Sequence, residues 1–180
     1  MRIIAGIHKG RRLSPPKNLP VRPTTDFAKE GFFNLLQNRF ELEGSDILDL
    51  CAGTGNLSLE FASREANSVL SIDRHQGCLN YIYKMSKELN LTQIKCIKSD
   101  LFQFLNRCKT DFDLIFADPP YGLKGSEDLP NLIFELQLLR TNGFFILEHG
   151  RELNFENHPN YQFSRKYGNV NFTFFQKEVS

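Results

Sequence analysis

Between residues 47 and 147, short apolar runs alternate with stretches of helical periodicity, and each of the first four runs carries an aspartate at or just past its end. The runs cover residues 47–50, 69–72, 94–97, 112–117 and 144–147, and the helical stretches cover 56–64, 76–90, 100–106 and 129–139. Regular alternation of strand-length runs with helices reads as βαβ units, because a parallel neighbour needs a crossover and the crossover helix covers a face of the sheet. The pattern therefore predicts an α/β domain built on a mostly parallel sheet. In such a sheet, Asp49, Asp73, Asp100 and Asp118 all fall at the carboxyl edge, where open doubly wound sheets bind ligands. One strand-end aspartate is commonly only a helix cap; recurrence after four strands points to a shared site.

The ends of the chain read differently. Two alternating segments, 161–167 and 170–177, flank Gly168 and Asn169 and predict a closing antiparallel hairpin. Residues 2–7 and 11–13, with Gly6 and Gly10, predict a small N-terminal hairpin, followed by a proline-rich connection and a helix opened by Thr24, Thr25 and Asp26. At 180 residues, the chain suits one sizeable α/β domain. No leader-like segment or membrane-length apolar run is seen, which predicts a cytoplasmic protein. Cys51, Cys78, Cys96 and Cys108 form no C-x-x-C pair and do not cluster with histidines, so neither a metal site nor a disulfide framework is expected.

The net charge of +1 conceals a division. Residues 1–40 hold eight Lys or Arg against Asp26 and Glu30, a balance of +6, which leaves −5 for the rest. A basic arm on an acidic body suits contact with a polyanion at one edge.

The loop Cys51, Ala52, Gly53, Thr54, Gly55 narrows the choice of ligand. A dinucleotide fingerprint needs a third glycine where Ser58 stands, and Asp49 would repel a pyrophosphate. S-adenosylmethionine carries a cationic sulfonium and ammonium and no phosphate, so the same aspartate attracts it. Asp73, followed by Arg74, is placed to accept from ribose hydroxyls, and Asp100 with Leu101 suits the adenine amine and its apolar faces.

The segment "DPPY", Asp118, Pro119, Pro120 and Tyr121, leaves the fourth strand. An exocyclic purine amine is a weak nucleophile, and two acceptors can aim its lone pair at a methyl donor. The Asp118 carboxylate and the Pro119 carbonyl supply them. Consecutive prolines fix φ and remove backbone donors, and Tyr121 can stack on an extruded base.

With these residues in place, the chain resembles the bacterial 16S ribosomal RNA guanine N2-methyltransferases that modify the guanine conventionally numbered 966, through "RIIAGIHKGRRL", "RPTTDFAKEGFFN", "DLCAGTGNLSLEFASR", "SIDR", "SDLFQFL" and "DPPY". The resemblance implies a Rossmann-like class I methyltransferase fold with a seven-stranded, mostly parallel sheet and an antiparallel C-terminal hairpin. It implies an RNA-docking hairpin and leading helix over residues 1–40, packed on a methyltransferase domain over 41–180. It further implies S-adenosylmethionine as cofactor and 16S rRNA within the small ribosomal subunit as partner; nothing in the sequence calls for a dimer, so a monomer is expected. Arg2, Lys9, Arg11, Arg12, Arg22 and Lys29 are the expected phosphate contacts. Ala5 stands where a second glycine is common in the family, and Phe27 and Lys29 replace frequent arginines. An N6-adenine methyltransferase acting on DNA or RNA is the alternative, since it uses the same segment on an exocyclic amine. Glu148 and His149 read as a local hydrogen-bonding device, and Phe163, Phe172, Phe174 and Phe175 read as core.

Overall fold

The computed structural model describes residues 1–20 and 25–176; the Arg22, Thr24 and Lys177 assignments lie outside them. After helix α1 (Asp26–Gln37) come β1 (Asp46–Leu50), α2 (Asn56–Ser63), β2 (Ser68–Asp73), α3 (Gln76–Glu88), β3 (Ile94–Lys98), α4 (Leu101–Arg107) and β4 (Phe112–Ala117). A 3-10 turn (Ser126–Asp128) leads to α5 (Leu129–Glu135), β5 (Leu139–His149), β6 (Tyr161–Tyr167) and β7 (Val170–Gln176). The strands form a seven-stranded sheet in the order β3-β2-β1-β4-β5-β7-β6. Pairing is parallel from β3 through β5 and antiparallel for β7 with both of its neighbours.

Side chains alternate across the sheet, so it buries two apolar layers. Phe32, Phe33 and Phe61 meet Phe116, Phe172 and Phe174 on one face. On the other, Leu50, Ile115, Phe145, Leu147 and Phe175 pack under α4 and α5. The phenylalanine-rich tail is core as expected: Phe172, Phe174 and Phe175 are buried, and Phe163 stacks on Phe174 at 4.5 Å.

Three boundaries differ from the sequence expectation. The helix expected to reach residue 139 ends at Glu135. Gln137 enters the left-handed region at φ 53°, and the Leu138 N–H returns to the Ile133 carbonyl, a Schellman-type stop built without glycine. The fifth strand then begins at Leu139, well before the apolar run at 144–147, because a left-handed Asn142 and a register shift let polar residues pair without alternating.

The N-terminal hairpin is the third. It shrinks to one bridge, Arg2 with Arg12, flanked by bonds between Ile3 and Arg11 and from Gly10 to Ile3. Beyond Ile3 the backbone leaves the hairpin for α2. The Ile4 and Ala5 N–H groups donate to the Glu60 carboxylate at 2.8 and 3.0 Å, and the Ile7 N–H donates to the Ser63 carbonyl at 2.8 Å. Gly6 makes this approach possible, since a Cβ there would stand 1.7 Å from the Ser63 oxygen. The expected start of α1 holds at Thr25, whose Oγ1 accepts from the Ala28 N–H at 3.2 Å.

Candidate active site

Chain order reverses beside β1, which has β2 on one side and β4 on the other. That switch point opens a crevice where neighbouring connections leave in opposite directions, and the carboxyl ends of β1 and β4 form its floor. The loop after β1 is tightly folded, with Cys51, Gly53 and Gly55 at φ 60°, 53° and 75°. The Ala52 N–H reaches the Ile72 carbonyl at 2.9 Å, and the Gly53 N–H reaches Asp73 Oδ2 at 2.9 Å. Gly55 seats the start of α2 against α3, where a Cβ would fall 2.6 Å from Ile82 Cγ1.

The aspartates at the two edges of the sheet show how differently those edges are built. At the amino edge, Arg140 pairs with Asp46 at 2.9 Å, Asp113 at 2.8 Å and Asp111 at 3.2 Å. Hydrogen bonds from Ser68, then from Asn67 and Arg140, hold the Asp46 carboxyl below its usual range. At the carboxyl edge, none of the ion pairs among the described residues includes Asp49, Asp73, Asp100 or Asp118. Asp49 is 2% exposed and accepts from the Ser58 hydroxyl, which in turn accepts from Ser71 Oγ at 2.8 Å. Burial lifts the Asp49 carboxyl to about 7 against the opposing Ser58 bond, and the charges of Asp118 and Asp73 add to the rise. Burial also lifts Asp118 to about 7. The Cys51 thiol beside them is raised by burial and then by the same carboxylates, so it is a neutral wall of the site.

These raised carboxyls have a thermodynamic consequence. Both groups hold protons in the fold at pH values where the unfolded chain has lost them. Their contribution is therefore complete below about pH 4 and is lost as pH rises through about 7. Carboxylates crowded together with no ion pair among the described residues suit a ligand that brings positive charge of its own.

The remaining predicted positions gather at the same edge. Asp73 accepts from the Gly53 and His75 N–H groups, the latter at 2.7 Å, which locks the glycine loop to the end of β2. Asp100 caps α4, its Oδ1 accepting from Phe102 and Gln103 at 2.9 and 3.2 Å, with Leu101 buried behind it. Thr54 is buried, Ala52 is half-buried and Arg74 faces solvent. In the Asp118–Tyr121 segment, Pro119 is buried, Pro120 exposed and Tyr121 62% exposed at the crevice mouth. A shallow groove runs from Pro119, Pro120 and Tyr121 to Glu148, His149 and Glu152.

One basic residue is corrected. Lys29 is 1% exposed, so it cannot serve as a phosphate contact. Its Nζ pairs with Glu60 Oε2 at 2.9 Å and donates to the Arg2 and Asn56 carbonyls and to Asn56 Oδ1. Burial depresses the Lys29 ammonium despite Glu60. Glu60 itself, fully buried, also holds Arg64 Nε at 2.9 Å, and the Arg64 guanidinium lies 4.2 Å from the Phe33 ring centroid. Sequence reading missed Glu60; the available signal was a charged residue on a helix with no polar face. Arg2 is drawn inward to Glu30 at 3.0 Å and Asp26 at 3.6 Å. Lys9, Arg11 and Arg12 project from the exposed tip of the arm. Among the described residues, no group of His, Cys, Asp and Glu could hold a metal ion, and no helix is long and apolar enough to cross a membrane.

Similarity to known proteins agrees with this architecture. Solved Escherichia coli yhhF is 28% identical and superposes with a TM-score of 0.87 over 100% of this chain and 99% of that one. A Thermus thermophilus 16S rRNA N2 G1207 methyltransferase in complex with AdoMet and guanosine gives 0.69 at 22% identity, over 88% of this chain and 45% of that one. The sheet is thus a Rossmann-like class I methyltransferase fold. Ribosomal RNA small subunit methyltransferase D of Haemophilus influenzae is 32% identical over 158 residues, 82% of this chain and 78% of that one. Bacillus subtilis YlbH is 36% identical over 157 residues, covering 85% and 84%. The family described as Conserved hypothetical protein 95 matches residues 1–176, and the chain belongs to it, alongside the ribosomal RNA small subunit methyltransferase D proteins.

Proposed function

We propose that this protein transfers a methyl group from S-adenosylmethionine to the exocyclic N2 amine of a guanine in 16S rRNA, at the position conventionally numbered 966, within the small ribosomal subunit. The coarser part, methylation of small-subunit rRNA, is the activity its relatives are named for, and the class I methyltransferase fold implies S-adenosylmethionine as the donor. The choice of guanine at that position rests on the family resemblance, and one observation carries the chemistry of transfer to an exocyclic amine. The glycine loop and the Asp118–Tyr121 segment leave adjacent parallel strands, β1 and β4, above a floor of carboxylates that make no ion pair among the described residues.

The donor supplies an electrophilic methyl on a sulfonium. Asp49 and Asp73 favour its positive charge, the loop from Cys51 to Gly55 gives it a backbone wall, and Asp73 and Asp100 are placed for ribose and adenine with Arg74 and Leu101 at their flanks. Asp118 and the Pro119 carbonyl each accept one N–H of the target amine, which turns its lone pair toward the methyl. Pro120 stiffens that turn, and Tyr121 stacks on the extruded base. When the N–C bond forms and the C–S bond breaks, the nitrogen sheds one proton, and Asp118 lies beside it as acceptor. Residues 1–40 act as the docking arm and 41–180 as the catalytic domain, with Lys9, Arg11 and Arg12 meeting phosphates at the arm tip.

The sign of the pH dependence follows. A bound cation favours the ionised forms of Asp49 and Asp118, so donor binding releases protons near neutrality and tightens as pH rises from about 6 to about 8. Titration calorimetry in buffers of different ionisation enthalpy reads both effects; pH-independent affinity without proton release would remove the carboxylates from the donor site.

The substrate is tested directly. Labelled donor is incubated with small subunits lacking the modification, naked 16S RNA and duplex DNA, and the methylated nucleoside is identified by mass spectrometry. N2-methylguanosine confined to the subunit sample is expected. N6-methyladenine in any sample would refute the substrate while keeping the chemistry of the Asp118 segment.

A further inference from the structure

Guanine and adenine both offer an exocyclic amine to Asp118, so something beside that residue must tell them apart. The sheet register places a second carboxylate there. β4 and β5 run parallel with Phe116 opposite Ile146 and Ala117 opposite Leu147. One further step sets Asp118 beside Glu148, a strand spacing of about 4.8 Å away. Phe116 and Ile146 belong to the same apolar layer, and side chains repeat every second residue, so Asp118 and Glu148 project to the same side of the sheet. Glu148 is only 6% exposed, and it borders the groove that Pro119, Pro120 and Tyr121 line.

Its neighbour faces the other side of the sheet. His149 is held within the fold, one ring nitrogen 2.7 Å from Thr173 Oγ1 and the other 2.7 Å from the Gly150 carbonyl, and its ring meets Phe155 edge-on. Burial depresses its pKa, so it is a neutral bracing group. The local role expected for the pair is met at His149, and alternation along β5 sets Glu148 on the other side of the sheet, beside Asp118.

We infer that Glu148 is the guanine-selecting residue of this site, its carboxylate accepting the N1–H of the target base while Asp118 and the Pro119 carbonyl accept the N2 hydrogens. This deepens the methyltransferase reading above and rests on it. In guanine, N1–H and N2–H are adjacent donors on the Watson–Crick edge, and neighbouring carboxylates on one side of a sheet match that row. Adenine presents an unprotonated N1 whose lone pair would face a carboxylate. A buried acceptor left against another acceptor rejects the wrong base far more strongly than shape alone.

The test separates N1–H recognition from folding and from catalysis. Reconstituted subunits carry either guanine or 2-aminopurine at the target; the latter keeps the N2 amine but has an acceptor at N1. Wild-type protein is expected to prefer guanine in kcat/KM by roughly 10- to 100-fold. Glu148→Gln can donate from its amide to the acceptor N1, so it should lose activity on guanine, gain relative activity on 2-aminopurine, and bring the ratio near one. Its donor affinity should stay unchanged. Glu148→Asp should keep the preference for guanine at reduced rate. Equal use of both bases by wild-type protein overturns the inference without any variant, and so does an unchanged ratio in Glu148→Gln. Absence of an N2-methylated product on guanine itself would instead refute the function on which it rests.

Discussion

With Asp118 replaced by alanine, methyl transfer is expected to fall by at least roughly 1,000-fold, while donor affinity changes by less than about tenfold. The asymmetry comes from position. Asp118 stands at the end of β4, where the acceptor amine would sit, whereas the glycine loop, Asp49 and Asp73 hold the opposite wall. Removing the Asp118 charge also relieves Asp49, whose carboxyl is raised partly by that charge, so the donor side keeps an ionised partner. Asp118→Asn retains a carbonyl that can accept one N–H and should keep more activity than alanine, while losing any rise in rate that tracks ionisation near pH 7. Single-turnover rates with donor binding measured separately decide the matter. Unchanged turnover in Asp118→Ala would sink the mechanism.

The largest stability effect should come from a residue far from the chemistry. Glu60→Ala is expected to cost at least about 3–5 kcal/mol, because it strands the buried Lys29 and Arg64 cations. It also removes the acceptor for the Ile4 and Ala5 N–H groups, so the N-terminal arm should loosen from α2. Against a typical domain stability of about 5–15 kcal/mol, such a loss is severe. The measurement is urea unfolding together with limited proteolysis of the arm. A stability change below about 1 kcal/mol would mean that the cluster contributes little. Arg11→Glu with Arg12→Glu provides the contrast. Both side chains are exposed, so melting should shift little, whereas subunit binding and its salt dependence should drop. Basic residues that look alike in the sequence thus divide into one buried, paired cation and exposed ones that we propose dock the substrate.

The same contrast explains which parts of the molecule could be read in advance. The four strand-end aspartates and the glycine loop were legible because parallel strands joined by crossovers put successive carboxyl ends on one edge. The closing hairpin was legible from its alternation and its Gly168 turn. The early end of α5 was not, because Gln137 takes a left-handed conformation that glycine ordinarily marks. The full length of β5 was hidden by polar residues at a bulge, where the two-residue period is interrupted.

The sequence by itself determined the layer order, the position of the crevice and the residue types that meet there, since these follow from local periodicity and from the handedness and parallel pairing of crossovers. Tertiary structure alone decided what each charge does. Lys29 turned inward because Glu60, thirty-one residues later, offered a buried carboxylate on the adjoining helix. Asp46 and Asp49 sit three residues apart on one strand, yet one is held below its usual range by hydrogen bonds and Arg140 while the other is lifted by burial among like charges. A side chain's protonation and partners depend on which distant groups reach it through a low-dielectric interior, and no local pattern in the chain encodes that distance.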